Sequence, residues 1–233
     1  MTLREGIRKY PKAIGWSVLL SLAVVMEGHG GYKLRTEIPI EWLLIHQIAC
    51  LPVEMGGHNW LWRKTFIELI RLDPAWQGGE YESQPLVSLL GAMGLLQVMF
   101  QGQEDMQREY PTREAVDRFF DLSFQSVLDH PDALDVTNQI YAWNASWDYK
   151  PEPDLHQIRA PLTAVNTGDD LMNPPQLRLL EEAVENRMSR GLGKAVIIPT
   201  SNDTFGHGSY IKASLWVNEL ERLLGATEKS GLS

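Results

Sequence analysis

Residues 158–175 read I-R-A-P-L-T-A-V-N-T-G-D-D-L-M-N-P-P, and residues 196–208 read V-I-I-P-T-S-N-D-T-F-G-H-G. The first stretch holds a short apolar run at 161–165. The second completes another at 194–199, K-A-V-I-I-P. Unbroken apolar runs of this length fit buried parallel strands, where the alternation of a half-exposed strand is lost. Between them Leu177, Leu180 and Val184 give a helix an apolar face. Asn173 is placed to cap that helix, with Pro174 and Pro175 in its first turn, where a missing N–H costs little. Ser209 then opens a final helix whose face carries Ile211, Leu215 and Leu220. Strand, helix, strand, helix with apolar strands predicts parallel βαβ winding.

In open parallel sheets, ligands and reacting groups gather just past the carboxyl ends of the strands. Two ionisable clusters fall there: Asn166-Thr167-Gly168-Asp169-Asp170 after the first run, and Thr204-Phe205-Gly206-His207-Gly208 after the second. An acid followed in chain order by a histidine is the arrangement of an α/β-hydrolase triad. The histidine removes a proton from a nucleophile; the acid holds its ring in the right tautomer and stabilises its charged form. Each residue also has a plain structural role open to it. Asp169 and Asp170 fit solvated acids near a helix N-terminus, and His207 fits a turn between two glycines. Their joint placement at two strand ends favours the catalytic pairing. A metal site is not expected, with one histidine nearby and no H-x-x-x-H or C-x-x-C pattern.

Upstream the texture changes. Residues 1–48 form an irregular N-terminal region, 49–150 a mostly helical region with the start of the core, and 151–233 the C-terminal βαβα part. Helical stretches are expected at 60–71, 86–100 and 113–128. In the last, Ala115, Phe119, Leu122 and Val127 recur at roughly helical spacing, and Thr112 is placed as its N-cap. Five of the eight tryptophans fall in this middle region. With Met93 and Met99 they suit either a ligand pocket or, as the preferred reading, a packed helical core.

These features resemble the homoserine O-acetyltransferase branch of the α/β-hydrolase family. The stretch from Ile158 to His207 is similar to the C-terminal half of that family, in which the acid precedes a segment ending in Pro-Pro and the base lies in a Gly-His element. Asp73-Pro74-Ala75-Trp76-Gln77-Gly78-Gly79-Glu80-Tyr81 resembles the D-P-x-W-x-G-G-x-Y element after the family's first lid helix. The resemblance spans roughly Ile48 to Leu224. It implies an α/β fold: a truncated α/β-hydrolase-like parallel sheet with a helical lid inserted before the last strands. It implies Asp170 as the acid and His207 as the base, with Asp169 a neighbour. It implies acyl transfer or ester hydrolysis through a serine-His-Asp mechanism on a small-molecule ester or alcohol. It suggests acetyl-CoA as a donor and a homodimer formed through the lid.

The family's serine sits on a G-x-S-x-G elbow, and that pattern does not occur in this sequence. The nearest match is Gly15-Trp16-Ser17-Val18-Leu19, where Leu19 replaces the glycine that lets strand and helix approach closely. Gly28-His29-Gly30-Gly31 reads as a Gly-rich turn, with an elbow relic or an oxyanion loop as alternatives. Few residues precede Ser17, so about half of the usual sheet is expected to be missing and one edge open. A catalytically incomplete homologue that binds a ligand or partner is therefore the alternative to an enzyme.

Composition narrows the remaining classes. The 233 residues are 44% hydrophobic and 22% charged, ordinary for a globular protein with a real core. A net charge of −9 and a pI near 5.2 argue against nucleic-acid binding. The one cysteine, Cys50, excludes an intrachain disulfide, suits a small core residue better than a nucleophile, and favours a reducing, cytoplasmic setting. Arg4, Arg8, Lys9 and Lys12 precede an apolar run at 14–26. The run is short for a membrane span, and a buried strand or helix is expected there rather than a targeting segment.

Overall fold

Residues 53–130, 135–158 and 161–229 are described by the computed structural model. They lie in the unit Leu51–Ser233. The readings made for Ser17, for Gly28-His29-Gly30-Gly31, for Cys50 and for the basic and apolar N-terminal stretch lie outside the described residues.

Helix α1, Gly57–Arg71, follows the spacing of its apolar side chains: Trp62, Phe66, Ile67 and Ile70 are all buried. Beyond it Asp73 accepts a hydrogen bond from the Ala75 N–H at 2.8 Å and starts a 3-10 turn, Pro74–Gly79, with proline at its first position. Helix α2, Leu86–Phe100, is apolar almost throughout and buries Leu89, Leu90, Ala92 and Met99. Helix α3, Gln103–Glu109, leaves it at 105° through Gly102. Helix α5, Val136–Asn144, is capped by Asp135, whose Oδ1 accepts from the Asn138 N–H. Phe66, Ile67, Ile70, Leu89, Ala92, Val136 and Ile140 close one apolar core among α1, α2 and α5.

Helix α4, Arg113–Asp129, begins as its sequence predicts, with Thr112 Oγ1 accepting from the Ala115 N–H at 3.2 Å. Of its spaced apolar residues, Ala115, Phe119 and Val127 are half-buried, with Val127 packed on the core among α1, α2 and α5. None of its residues is fully buried, and Leu122 is 66% exposed. Its aromatics pair off, Phe119 with Tyr110 and Phe120 with Phe124. Amphipathic spacing specifies a face but not a partner for it.

Strands β1, Leu162–Thr167, and β2, Gly193–Ile198, run parallel, with Leu162 opposite Gly193 and Thr167 opposite Ile198. Leu162, Ala164, Ala195 and Ile197 share one face and pack on Leu155, Leu180, Ala183 and Val184. On the other face Lys194 Nζ reaches Glu219 Oε2 of helix α6, Val217–Lys229, at 2.8 Å. The strand residues are mostly half-buried rather than buried. A strand is fully covered only with neighbours at both edges and layers on both faces, and among the described residues the sheet has two strands.

The crossover between the strands departs from the expected single helix. Pro174, not Asn173, precedes a 3-10 turn, Pro175–Leu177, and Arg178 in the left-handed region (φ 54°) breaks it. A short α turn, Leu179–Glu181, and a π turn, Glu182–Arg187, follow. Asn173 is used elsewhere: its N–H is bound by Asp170 and its carbonyl by Asn166 Nδ2. The break at Arg178 takes Leu177 out of register, leaving it 48% exposed while Leu180 and Val184 stay buried. The π turn lies so close to β2 that a Cβ on Gly193 would overlap the Val184 carbonyl oxygen. The last helix also starts later than expected. Ser209 lies in a 3-10 turn, Gly208–Ile211, with Ile211 exposed, a second turn follows at Ala213–Leu215, and α6 begins only at Val217.

Candidate active site

The carboxyl ends of β1 and β2 hold the two sequence-selected residues together. Asp170 is 3% exposed, and both its oxygens are engaged. Its Oδ1 accepts from the N–H groups of Met172 at 2.8 Å and Asn173 at 2.9 Å, the geometry of a tight Asx turn. Its Oδ2 lies 3.0 Å from Nδ1 of His207. The Asp170 N–H in turn donates to the Thr167 carbonyl at the end of β1. The carboxylate is therefore fixed by backbone on one oxygen and presents the other to the imidazole.

Asp169 occupies a different place. Its Oδ2 accepts from the Gly206 N–H at 2.9 Å, so it holds the backbone just before His207 and not the ring. Thr167 Oγ1 donates to the Gly206 carbonyl at 3.2 Å. Ser209 closes the same loop, its Oγ accepting from the Phe205 N–H at 2.8 Å.

The His207 side chain is 10% exposed. The rings of Phe100 and Tyr210 meet it edge-on, with centroids 5.7 and 5.8 Å away. Burial pushes the Tyr210 hydroxyl above its ordinary pKa, so it stays neutral at physiological pH. With Nδ1 committed to Asp170, Nε2 is the nitrogen left to exchange a proton with a nucleophile.

The helical region is also tied to this site through His58 and a small buried cluster. His58 Nε2 and the Leu171 carbonyl oxygen lie 2.7 Å apart, joining α1 to the loop after Asp170. Beside this, Trp62, Met99 and Met172 form a small buried cluster with Leu95, Leu96, Phe100, Trp143 and Leu171 packed on it. The methionine and tryptophan side chains here thus build a packed joint between helices and site loop. Among the described residues, no group of three or more His, Cys, Asp or Glu side chains is arranged to hold a metal ion.

Sequence reasoning did not single out Phe100, Gly102 or Tyr210. Phe100 and Gly102 are distant in sequence from His207 and ordinary in type. Only the glycines flanking His207 hint that something approaches that loop closely.

No protein-family model matches the sequence. The homoserine O-acetyltransferase of Geotalea daltonii is 26% identical over 156 residues, covering 60% of this chain and 41% of that protein. The enzyme of the same name from Trichlorobacter lovleyi is 25% identical over the same shares. The chain thus spans about two-fifths of the length of the curated relatives it matches. Among solved structures, homoserine O-acetyltransferase from Bacillus anthracis superposes with a TM-score of 0.61 at 17% identity, over 83% of this chain and 57% of that one. The acetyl esterase MekB gives 0.55 at 17%, over 80% and 58%. An acetylester hydrolase from Corynebacterium glutamicum gives 0.54 at 18%, over 79% and 56%. The fold is that of an α/β-hydrolase, mostly helical in the described residues with a small parallel sheet.

Proposed function

We propose that this chain, α/β-hydrolase in fold and homoserine O-acetyltransferase-like in sequence, carries out acyl transfer or ester hydrolysis through a serine-His-Asp mechanism. The observation that carries the reading is the 3.0 Å approach of Asp170 Oδ2 to His207 Nδ1 at the ends of two parallel strands. In this reading His207 Nε2 takes the proton from a serine hydroxyl as the oxygen attacks the carbonyl carbon of an ester or thioester. Collapse of the tetrahedral intermediate breaks the bond to the leaving group, which departs with that proton. Water or an alcohol then attacks the acyl-serine and regenerates the enzyme. Asp170 orients the ring and stabilises the imidazolium; it does not itself take the proton. The names of the relatives favour an acetyl group as the acyl unit, and the sequence resemblance suggests acetyl-CoA as the donor in a transferase form. Ser17 is the serine to which the elbow-like pattern points.

A second reading, a homologue that binds without turnover, is favoured by the lack of any G-x-S-x-G in the sequence. Labelling with a fluorophosphonate separates the two. The enzyme reading expects covalent labelling at Ser17 that disappears in His207→Ala. A folded sample that takes up no label ends the serine mechanism and leaves the binding reading.

A further inference from the structure

Resting on that reading of His207 as the base, we infer that Asp169, together with the bend between α2 and α3 at Phe100 and Gly102, is a positioning device for the imidazole. The two adjacent acids divide the work: Asp170 holds the ring and Asp169 holds the peptide that carries it.

Gly206 is the junction. Its φ of +68° is open to glycine and strained for other residues. Both faces of its backbone are bound. The N–H donates to Asp169 Oδ2 at 2.9 Å, and the carbonyl accepts from Thr167 Oγ1 at 3.2 Å and from the Ser209 N–H at 3.1 Å. The residue entering His207 is therefore anchored from β1 on one side and from its own turn on the other.

The helical bend closes over this junction without spare room. A Cβ on Gly206 would overlap the Gly102 nitrogen and lie 2.7 Å from the Gln101 carbonyl carbon. A Cβ on Gly102 would lie 2.6 Å from Asp169 Oδ2 and 2.9 Å from the Gly206 nitrogen. On the far side of His207, a Cβ on Gly208 would lie 2.5 Å from Phe100 Cε1. Gly102 and Gly206 need glycine because the helical segment and the histidine loop touch there backbone to backbone, whereas Gly208 is closed in by the rings of Phe100 and Phe205. Phe100 meanwhile sets its ring edge against His207 and against Tyr210, with centroids 5.7 and 6.3 Å away.

Asp169 keeps this arrangement at a cost. Its Oδ1 is buried with no hydrogen-bond partner, and an unmade bond on a buried polar atom is unfavourable. Loop packing alone needs no carboxylate there; an acceptor aimed at the Gly206 N–H does. Reacting groups misplaced by about 1 Å can lose about 100-fold in rate, which is the scale at which such an anchor matters.

The test reads the His207 ring directly. In uniformly 15N-histidine-labelled full-length protein, the Nδ1–H resonance bonded to Asp170 is assigned by its loss in His207→Gln and in Asp170→Asn. The inference expects Asp169→Ala to lose or broaden that resonance in a protein that keeps its native circular dichroism. It expects Asp169→Asn, whose amide oxygen still accepts from Gly206, to retain it. Turnover of an acetyl ester should follow, with kcat down by roughly 100-fold in Asp169→Ala, KM little changed, and Asp169→Asn near wild type. Should Asp169→Ala not fold, Phe100→Leu takes its place and must broaden the same resonance. A sharp, unshifted Nδ1–H signal in the folded alanine variant, or in Phe100→Leu where it stands in, overturns the inference, as does equal loss in Asp169→Ala and Asp169→Asn. Persistence of the signal in Asp170→Asn overturns instead the pairing on which the functional reading rests.

Discussion

Replacing Asp170 by asparagine and by alanine should separate what its two oxygens do. Oδ1 binds the N–H groups of Met172 and Asn173, and Oδ2 faces His207. In Asp170→Asn the amide oxygen can keep both backbone donors satisfied, and the loop should hold. The amide nitrogen then faces Nδ1 and donates to it, which forces the ring proton onto Nε2. A ring in that tautomer cannot accept a proton from serine, and in Ser-His-Asp enzymes this error lowers kcat on the order of 10⁴-fold. In Asp170→Ala both donors lose their partner in a site that is almost closed to water. A buried donor left unmade costs about 1–3 kcal/mol, so with two donors this variant should be less stable than the asparagine variant by about 2–6 kcal/mol. Urea titration followed by tryptophan fluorescence measures the stability difference, and hydrolysis of p-nitrophenyl acetate measures the rate. Equal stability of the two variants would show that the backbone bonds to Oδ1 carry no weight. An asparagine variant within tenfold of wild-type rate would refute the tautomer argument.

Two further outcomes follow from the packing around the site. Gly193→Ala drives a methyl group into the Val184 carbonyl and to 2.5 Å from its carbon. The obstacle is backbone, so the crossover must move, and a loss of about 3 kcal/mol or more is expected in the unfolding free energy from urea titration; a change too small to resolve would mean the π turn sits farther from β2. Asp135 sets a pH dependence. Burial, the largest single effect, pushes its carboxyl pKa up, but hydrogen bonds from Tyr81, the Asn138 N–H, Gln84 and the Thr137 N–H together outweigh it, and the net direction is down. A lowered folded pKa means that the unfolded chain binds more protons in this window. The contribution is fully present above the unfolded value, near 4, and is lost as pH falls through the folded value. Stability should thus fall more steeply below about pH 5 in wild type than in Asp135→Asn; parallel curves would show that Asp135 does not hold α5 against the Tyr81–Gln84 segment.

Local chemistry made much of this molecule readable in advance. The two apolar runs lie within one or two residues of the observed strands because continuous burial leaves a continuous apolar signal. Helix α2 spans the predicted 86–100, and Thr112 caps α4, because spacing and capping are properties of neighbours in sequence. The choice of Asp170 and His207 as a pair came from strand ends and a family resemblance, and the structure brings those two side chains together. What local chemistry left undetermined depends on residues far apart in the chain. Asn173 looked like a helix cap, yet its backbone serves Asp170. The crossover is a broken series of turns, with its π turn seated on Gly193. Leu122 has the spacing of a buried residue yet is 66% exposed, while Val127 of the same helix packs on the core. The approach of Gly102 and Phe100 to the loop of His207 spans about a hundred residues and has no periodic trace in the sequence. By itself the sequence determined the two strands, the helices α1, α2 and α4, and which ionisable groups end beside the strands, because hydrophobic spacing, caps and turn residues act over a few positions. Only the tertiary structure decided which acid meets the ring, which meets the backbone, and what presses on both, because close packing is settled by whichever distant surfaces come into contact.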